Sequence, residues 1–128
     1  MEVNAGIKHD SGKPRPDLVL GSMARAMLAV AEVAAYGAAK YIADGWQTVP
    51  DGLARYTAAK DRHRLMGALE TTDYESGLRH AAHEAWNALA VLELLLRREE
   101  ERDLDDMCRA GRLPESIGTC GNVGEGGA

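Results

Sequence analysis

Apolar residues recur every three to four positions along most of this chain, which is the spacing of amphipathic α-helices. The periodicity predicts three long helices, at residues 18–43, 53–69 and 78–101, and a short C-terminal helix at residues 103–112. Pro14 and Pro16 keep the backbone extended before the first helix. No alternation of β-branched and polar residues suggests a sheet. The sequence therefore predicts an all-α fold, a bundle of three long helices plus a short C-terminal helix.

The glycine content divides the chain into two parts. Residues 1–112 carry the helical pattern, and we expect them to form one domain. Residues 113–128 are rich in glycine and have almost no bulky apolar side chain. We expect this tail to be disordered.

Composition and charge narrow the range of partners. The chain has 128 residues, of which 45% are hydrophobic and 5% aromatic, and its formal net charge is -5. This acidic balance argues against duplex nucleic acid or an anionic membrane as the main partner. The longest apolar stretch, residues 26–39, is interrupted by Glu32 and is too short to span a bilayer. We expect a soluble, cytoplasmic protein.

Four polar side chains interrupt the apolar stripe of the third helix. His80, His83, Glu84 and Asn87 lie on the face that later turns fill with Val91 and other apolar residues. Buried imidazole, carboxylate and amide groups are costly unless a metal, a ligand or a hydrogen-bond network pairs them. The oxygen atoms of Glu84 and Asn87 suit Mg²⁺ or Mn²⁺, and the alternative is an interhelical network without a metal.

Two more acidic groups are candidates for the same site. Glu32 is the one charged residue between Arg25 and Lys40, so we expect a metal ligand or general base there rather than a solvent-exposed side chain. Asp73 lies in the connection before the third helix. It completes a cation site if the connection folds over the helices, and otherwise it is an ordinary solvated charge.

The second predicted helix combines an apolar face with basic residues. Its expected inward side comprises Tyr56, Ala59, His63, Met66 and either Leu69 or Glu70. The basic residues Arg55 and Arg62 lie two turns apart and therefore face the same way, as a phosphate clamp requires. Further candidates for phosphate or base contacts are Lys13, Arg15, Lys40, Trp46, His63 and His80.

An ordered series of motifs resembles the phage dATP/dGTP diphosphohydrolase domain. The motifs are GKPR at 12–15, YGAAKY at 36–41, Trp46, RY at 55–56, RH at 62–63, SGLRHAAH at 76–83 and Asn87. That group is similar to the MazG-like all-α NTP pyrophosphohydrolases. The resemblance covers about residues 8–96 and leaves the C-terminal tail unexplained.

The resemblance implies an enzyme that uses Mg²⁺ or Mn²⁺ to hydrolyse dGTP or dATP to dNMP and pyrophosphate. It implies a homo-oligomer, a dimer or tetramer, and a role in supplying dGMP to phages whose DNA contains 2-aminoadenine. The superfamily holds its metal with Glu-x-x-Glu on one helix and Glu-x-x-Asp on a later helix. Here Ala35 replaces the second acid, and the later pair is either Glu84-x-x-Asn87 or Glu70-x-x-Asp73.

Only the first of these later pairs lies squarely on a predicted helix. The expected catalytic residues are therefore Glu32 and Glu84, and the expected metal ligands are Glu32, Asp73, His83, Glu84 and Asn87. Two other functions stay open. One is an HD-type phosphohydrolase, which the His9-Asp10 dipeptide suggests, and the other is a non-catalytic helical module that binds nucleotides or regulates a partner.

Overall fold

The computed structural model of this chain describes residues 5–113. Over these residues the elements are α1 (Asp17–Leu20), α2 (Ala24–Lys40), a short 3-10 helix (Gly45–Thr48), α3 (Gly52–Leu69) and α4 (His80–Arg109). Within this part of the chain there is no strand, only an isolated antiparallel bridge between Thr72 and Arg79. The all-α fold with three long helices is confirmed. Apart from Leu113, the predicted disordered tail lies outside the described residues.

The helices differ from the prediction in how they are divided and, by two or three residues, in where α2 ends and α4 begins, at Lys40 and His80. The first predicted helix is divided, because the single turn of α1 ends at Leu20 and α2 starts only at Ala24. The predicted short C-terminal helix at residues 103–112 is not separate, since α4 continues unbroken to Arg109. Arginine and glutamate are good helix formers, and the Glu93–Arg97 pair spans one turn, so the charged block extends the helix instead of ending it.

Helix α4 is the centre of the bundle because it packs against both α3 and α2. Tyr36 of α2 lies beside His83 near the start of α4, and Lys40 at the end of α2 reaches Glu75 just before α4. Helices α2 and α4 therefore run antiparallel. On α3, Gly67 permits close approach, since a Cβ atom there would lie 3.3 Å from the Cβ of His80.

Few apolar side chains are buried within this single chain. Among the described residues the buried hydrophobic side chains are Val33, Ala82 and Ala90. The expected inward side of α3 is correct for Tyr56, Ala59 and His63, which are half-buried. It is wrong for Met66 and Leu69, of which 40% and 82% are exposed, because α4 covers only one side of α3's last turns. No helix within residues 5–113 is long and apolar enough to cross a membrane.

Candidate active site

A group of polar side chains fills the junction of α3, α4 and the connection between them. We call it the histidine cluster, and its members are His63, Glu70, Asp73, Ser76, His80 and His83. His80 and His83 are only 2% and 7% exposed, as is usual for core residues. The prediction that polar groups of the third helix are buried is thus confirmed for these two residues and for Asn87, whereas Glu84 is half-buried.

The connection before α4 folds into a tight loop that carries three of the cluster residues. The backbone N–H of Asp73 donates to Leu78 O at 2.8 Å, and the N–H of His80 donates to Thr71 O at 3.0 Å. Gly77 has a φ of 71°, a left-handed conformation that glycine adopts without steric cost. These constraints set Glu70, Asp73 and Ser76 against the first turns of α4.

Glu70, His80 and His63 form a continuous hydrogen-bonded chain. His80 Nε2 lies 3.2 Å from Glu70 Oε1, and His80 Nδ1 lies 3.0 Å from His63 Nδ1. His80 therefore uses both ring nitrogens within the cluster. Although His80 is a predicted substrate contact, its burial leaves it better placed to orient His63 than to touch a ligand.

Ser76 links Asp73 to His83. Asp73 Oδ2 accepts hydrogen bonds from the Ser76 backbone N–H at 2.9 Å and from its hydroxyl at 2.7 Å. The same hydroxyl oxygen lies 2.7 Å from His83 Nε2 and accepts from the Leu78 N–H at 3.2 Å. Burial alone raises the pKa of Asp73, but the two bonds from Ser76 together with the nearby His83 and His63 rings outweigh it and hold this pKa below its usual value. Asp73 is thus a carboxylate that accepts hydrogen bonds.

The rings of His63 and His83 stack face to face, with centroids 4.5 Å apart and planes 9° from parallel. Burial lowers the pKa of both imidazoles below 6.5, and each also lies near another histidine that would repel a second positive charge. The two stacked rings are therefore neutral near pH 7. Neutral imidazoles carry a lone pair that can accept a proton or a hydrogen bond.

The predicted basic contacts differ in how available they are. Lys40 is paired with Glu75 and lies over the rings of Tyr36 and Tyr41, and its hydrogen bond to Glu75 raises its pKa. Arg15 forms a two-pronged pair with Asp17, at 3.1 and 2.7 Å. Three other cations are exposed and form no ion pair within the described part of the chain: Lys13, Arg55 and Arg62.

Trp46 belongs to an aromatic cluster with Tyr56 and Trp86. Its ring meets these two edge to face at 6.2 and 5.9 Å, and the Tyr56 hydroxyl donates to the Trp46 carbonyl oxygen at 2.7 Å. The guanidinium of Arg97 lies over the Trp46 ring, 5.6 Å from its centroid. In this arrangement Trp46 packs the 3-10 helix against α3 and α4. Its ring therefore contacts protein side chains and is not available to stack on a nucleobase.

A family model matches residues 3–104, which include all of the histidine cluster. That model is described as dATP/dGTP diphosphohydrolase, N-terminal. The chain belongs to this diphosphohydrolase N-terminal family. No curated protein and no solved structure matches the chain. The suspected resemblance is therefore confirmed at the level of the family.

The family resemblance implies a metal ion, and the donor set allows a direct test of that implication. Within residues 5–113 no group of three or more His, Cys, Asp and Glu side chains is arranged to hold a metal ion. Asp73 and His83 are engaged with Ser76, and the Asn87 amide donates to the His83 carbonyl oxygen at 2.8 Å. A site built from protein ligands alone is not preformed in the single chain.

Two acids remain available to a cation. Glu32 is solvent-exposed, contrary to the expectation, because α2 buries only Val33 and leaves most of its alanine-rich surface uncovered. Glu84 is half-buried, and neither acid forms a hydrogen bond or ion pair with another described residue. Helices α2 and α4 are antiparallel, and Tyr36 lies beside His83. Glu32 precedes Tyr36 by about one turn and Asn87 follows His83 by about one turn, so Glu32 and Asn87 are at about the same height along the helix pair. Mg²⁺ commonly takes one or two carboxylates and completes its shell with water and substrate phosphates, and these acids fit that kind of binding.

Sequence reasoning missed the part played by Ser76. It gave Glu70 as half of an alternative metal pair and as the alternative to Leu69 on the inward side of the second helix, without a hydrogen-bond partner. Asp73-x-x-Ser76 is a spacing at which an aspartate side chain caps the following turn, and that signal could have indicated the Ser76 bond. Nothing in the sequence pattern indicates that His63 pairs with His80 and also stacks on His83. Those contacts depend on how closely α3 approaches α4 at Gly67.

Proposed function

We propose that this member of the diphosphohydrolase family hydrolyses purine deoxynucleoside triphosphates, dGTP or dATP or both, to dNMP and pyrophosphate. The observation that carries the proposal is the family match, which spans every residue of the histidine cluster. Burying the imidazoles of His80 and His83 and the amide of Asn87 in the helix core costs stability, so a functional reason is expected for them.

We also propose Mg²⁺ or Mn²⁺ as the cofactor, held by Glu32 and Glu84 together with the substrate phosphates. Such a cation neutralises the triphosphate charge and stabilises the leaving pyrophosphate. Glu32 and Glu84 are the proposed catalytic acids because they are carboxylates without a partner among the described residues, Glu84 next to His83 in α4 and Glu32 on α2, which packs against α4. Asp73, His83 and Asn87 remain proposed as supplementary ligands, which would require their present hydrogen bonds to rearrange.

The phosphate contacts are proposed from the exposed cations. Arg55 and Arg62 lie two turns apart on α3 with unpaired guanidinium groups, and Lys13 is equally accessible. Lys40 and Arg15 would have to exchange a carboxylate partner for phosphate. Trp46, His63 and His80 complete the proposed substrate-binding set. His80 would act through His63, and Trp46 would have to leave its contacts with Tyr56 and Trp86 to reach a nucleobase.

A homo-oligomer, dimer or tetramer, is proposed from the exposed apolar side chains. Leu65 and Leu69 of α3 are 69% and 82% exposed, and Leu92 and Leu96 of α4 are about half exposed. Gly67 lies against His80 and Gly52 against Leu94, so these leucines expose apolar surface at both ends of the α3–α4 pair. Exposed apolar surface favours interaction sites, and a second copy of the chain is the partner that is always present. Sedimentation equilibrium would give the mass, and a monomer at micromolar concentration would overturn this part of the proposal.

We further propose that the protein acts in the cytoplasm, of a host cell if it is phage-encoded, where dGMP production would serve synthesis of 2-aminoadenine DNA. Duplex nucleic acid and membranes are not proposed as partners. The support is the family membership and the acidic net charge of -5.

The deciding experiment incubates the full chain with each dNTP in the presence of Mg²⁺, Mn²⁺ or EDTA and identifies every product. We expect dGMP or dAMP with equimolar pyrophosphate, and none in EDTA. Inorganic triphosphate would indicate an HD-type phosphohydrolase instead. A folded protein that hydrolyses no dNTP with either metal would indicate a non-catalytic module.

A further inference from the structure

We propose that Glu70 acts through His80 to hold His63 in one tautomer, so that His63 Nε2 is the acceptor for the proton of the attacking water. This inference rests on the proposed function. It makes His63 a catalytic residue and Glu70 a positioning residue, and it leaves Glu32 and Glu84 to hold the cation.

The first step starts at the carboxylate. An ionised glutamate has acceptor oxygens and no proton to donate, so the 3.2 Å contact between Glu70 and His80 requires a hydrogen on His80 Nε2. If that is the one ring hydrogen of His80, its Nδ1 has the lone pair. The 3.0 Å contact between the two Nδ1 atoms therefore requires the hydrogen on His63 Nδ1. His63 Nε2 is left with the lone pair.

The opposite arrangement is unfavourable. If His63 carried its hydrogen on Nε2, His80 would have to donate from Nδ1. A His80 ring with one hydrogen would then turn its Nε2 lone pair toward the Glu70 carboxylate, and a ring with two hydrogens would place a positive charge beside the stacked rings of His63 and His83. A contact between two acceptors is repulsive, whereas a hydrogen bond to a charged group is worth about 1.5–3 kcal/mol. The carboxylate thus selects the tautomer of a ring that it does not touch.

The second step concerns which Nε2 atom of the two stacked rings, His63 and His83, is occupied by a hydrogen bond. Ser76 has one hydroxyl proton, and the ionised Asp73 can only accept it. His83 Nε2 must then donate to the Ser76 oxygen, so this nitrogen is occupied. His63 Nε2 has no hydrogen-bond partner among the described residues. Every fully buried side-chain nitrogen or oxygen atom in that part of the chain has such a partner, so His63 Nε2 is not fully buried. His63 Nε2 therefore reaches solvent and can meet a water molecule.

The proposed reaction balances with this acceptor. The water oxygen forms a bond to the α-phosphorus, and the bond from that phosphorus to the α–β bridging oxygen breaks. The electron pair leaves with pyrophosphate, and the water proton passes to His63 Nε2. General-base assistance of this kind is worth about 10²–10⁴-fold in rate.

The first test measures the tautomers directly and needs no turnover. Protein labelled with ¹⁵N on histidine is studied by NMR, in which protonated and unprotonated ring nitrogens have well separated shifts. We expect His63 to show an unprotonated Nε2, and Glu70→Gln to produce a mixture, because an amide can donate to His80 as well as accept from it. The matched control is Glu100→Gln, an exposed carboxylate far along α4, which should leave the His63 signals unchanged.

The second test is kinetic. We expect Glu70→Gln to lower kcat about 10- to 100-fold with KM within about threefold, and His63→Gln to lower kcat at least as far. A wild-type His63 protonated on Nε2, or a Glu70→Gln protein with unchanged tautomers, would overturn the inference even if the wild type hydrolyses dNTPs. If the tautomers are as expected but the wild type hydrolyses no dNTP, the proposed function fails and the catalytic role of His63 fails with it.

Discussion

Replacing Ser76 with alanine tests the hydroxyl that forms hydrogen bonds with three residues at the histidine cluster. The change removes a donor to Asp73 and the acceptor for His83 Nε2 and the Leu78 N–H. The His83 side chain is only 9% exposed, so its N–H loses its partner away from water. Asp73 Oδ2 lies 3.8 Å from His83 Nε2, near enough to recover part of the loss after a small shift.

The buried His83 N–H left without an acceptor and the lost hydrogen bond to the Asp73 carboxylate together lower the free energy of unfolding by about 2–4 kcal/mol. For a chain of this length that is a fall in Tm of about 5–15 °C. The pKa of Asp73 should also rise, because the Ser76 bonds are what lower it against the opposing effect of burial.

Thermal unfolding monitored by circular dichroism at one fixed protein concentration measures this loss. Ser22→Ala is the matched control, since the Ser22 hydroxyl is exposed and bonds only to the Leu18 carbonyl oxygen. We expect that variant to stay within about 0.5 kcal/mol of the wild type. Equal unfolding temperatures for the Ser76 and Ser22 variants would refute the hydrogen-bond assignment.

Three further predictions concern catalysis, pH and the aromatic cluster. Glu32→Gln should abolish turnover and leave the helical circular dichroism spectrum intact, because this exposed carboxylate serves the cation and not the fold; retained metal-dependent activity would remove Glu32 from the mechanism. In metal-free buffer, stability should fall as the pH drops from about 7.5 to about 5.5, because His63 and His83 have pKa values below the unfolded 6.5 and the unfolded chain takes up more protons. His63→Gln should flatten that dependence, and an equally steep Tm profile would contradict the assignment. Tyr56→Phe should cost about 1 kcal/mol through loss of the bond to the Trp46 carbonyl, measured by urea unfolding, and a neutral effect would show that this bond is not needed.

The sequence predicted the helices well where apolar spacing was regular and poorly where local geometry decided. The α3 prediction is within one residue at its start and correct at its end, because turn residues precede it and Glu70 adopts an extended conformation after it. The break at Gly21 was missed, since the apolar spacing continues across it. The exposure of Met66 and Leu69 could not be predicted either, because periodicity gives the apolar face of a helix without saying what covers it.

For the candidate site, the sequence identified chemical groups but not their partners. It predicted buried polar groups at His80, His83 and Asn87, and their low exposure confirms that. It did not pair His80 with His63 or link His83 to Asp73 through Ser76, because these contacts join residues from two helices and a loop. The ligand roles of Glu32 and Glu84 stay predictions, since those carboxylates have no partner among residues 5–113.

The most direct test of the proposed activity is hydrolysis of dGTP in ¹⁸O-labelled water with Mg²⁺, followed by mass spectrometry of every product. Attack at the α-phosphorus predicts dGMP carrying the label and an equimolar amount of unlabelled pyrophosphate. Unlabelled dGMP with labelled pyrophosphate would place the attack on the β-phosphorus and contradict the mechanism. Release of inorganic triphosphate, or no hydrolysis by the folded protein, would contradict the proposed function itself.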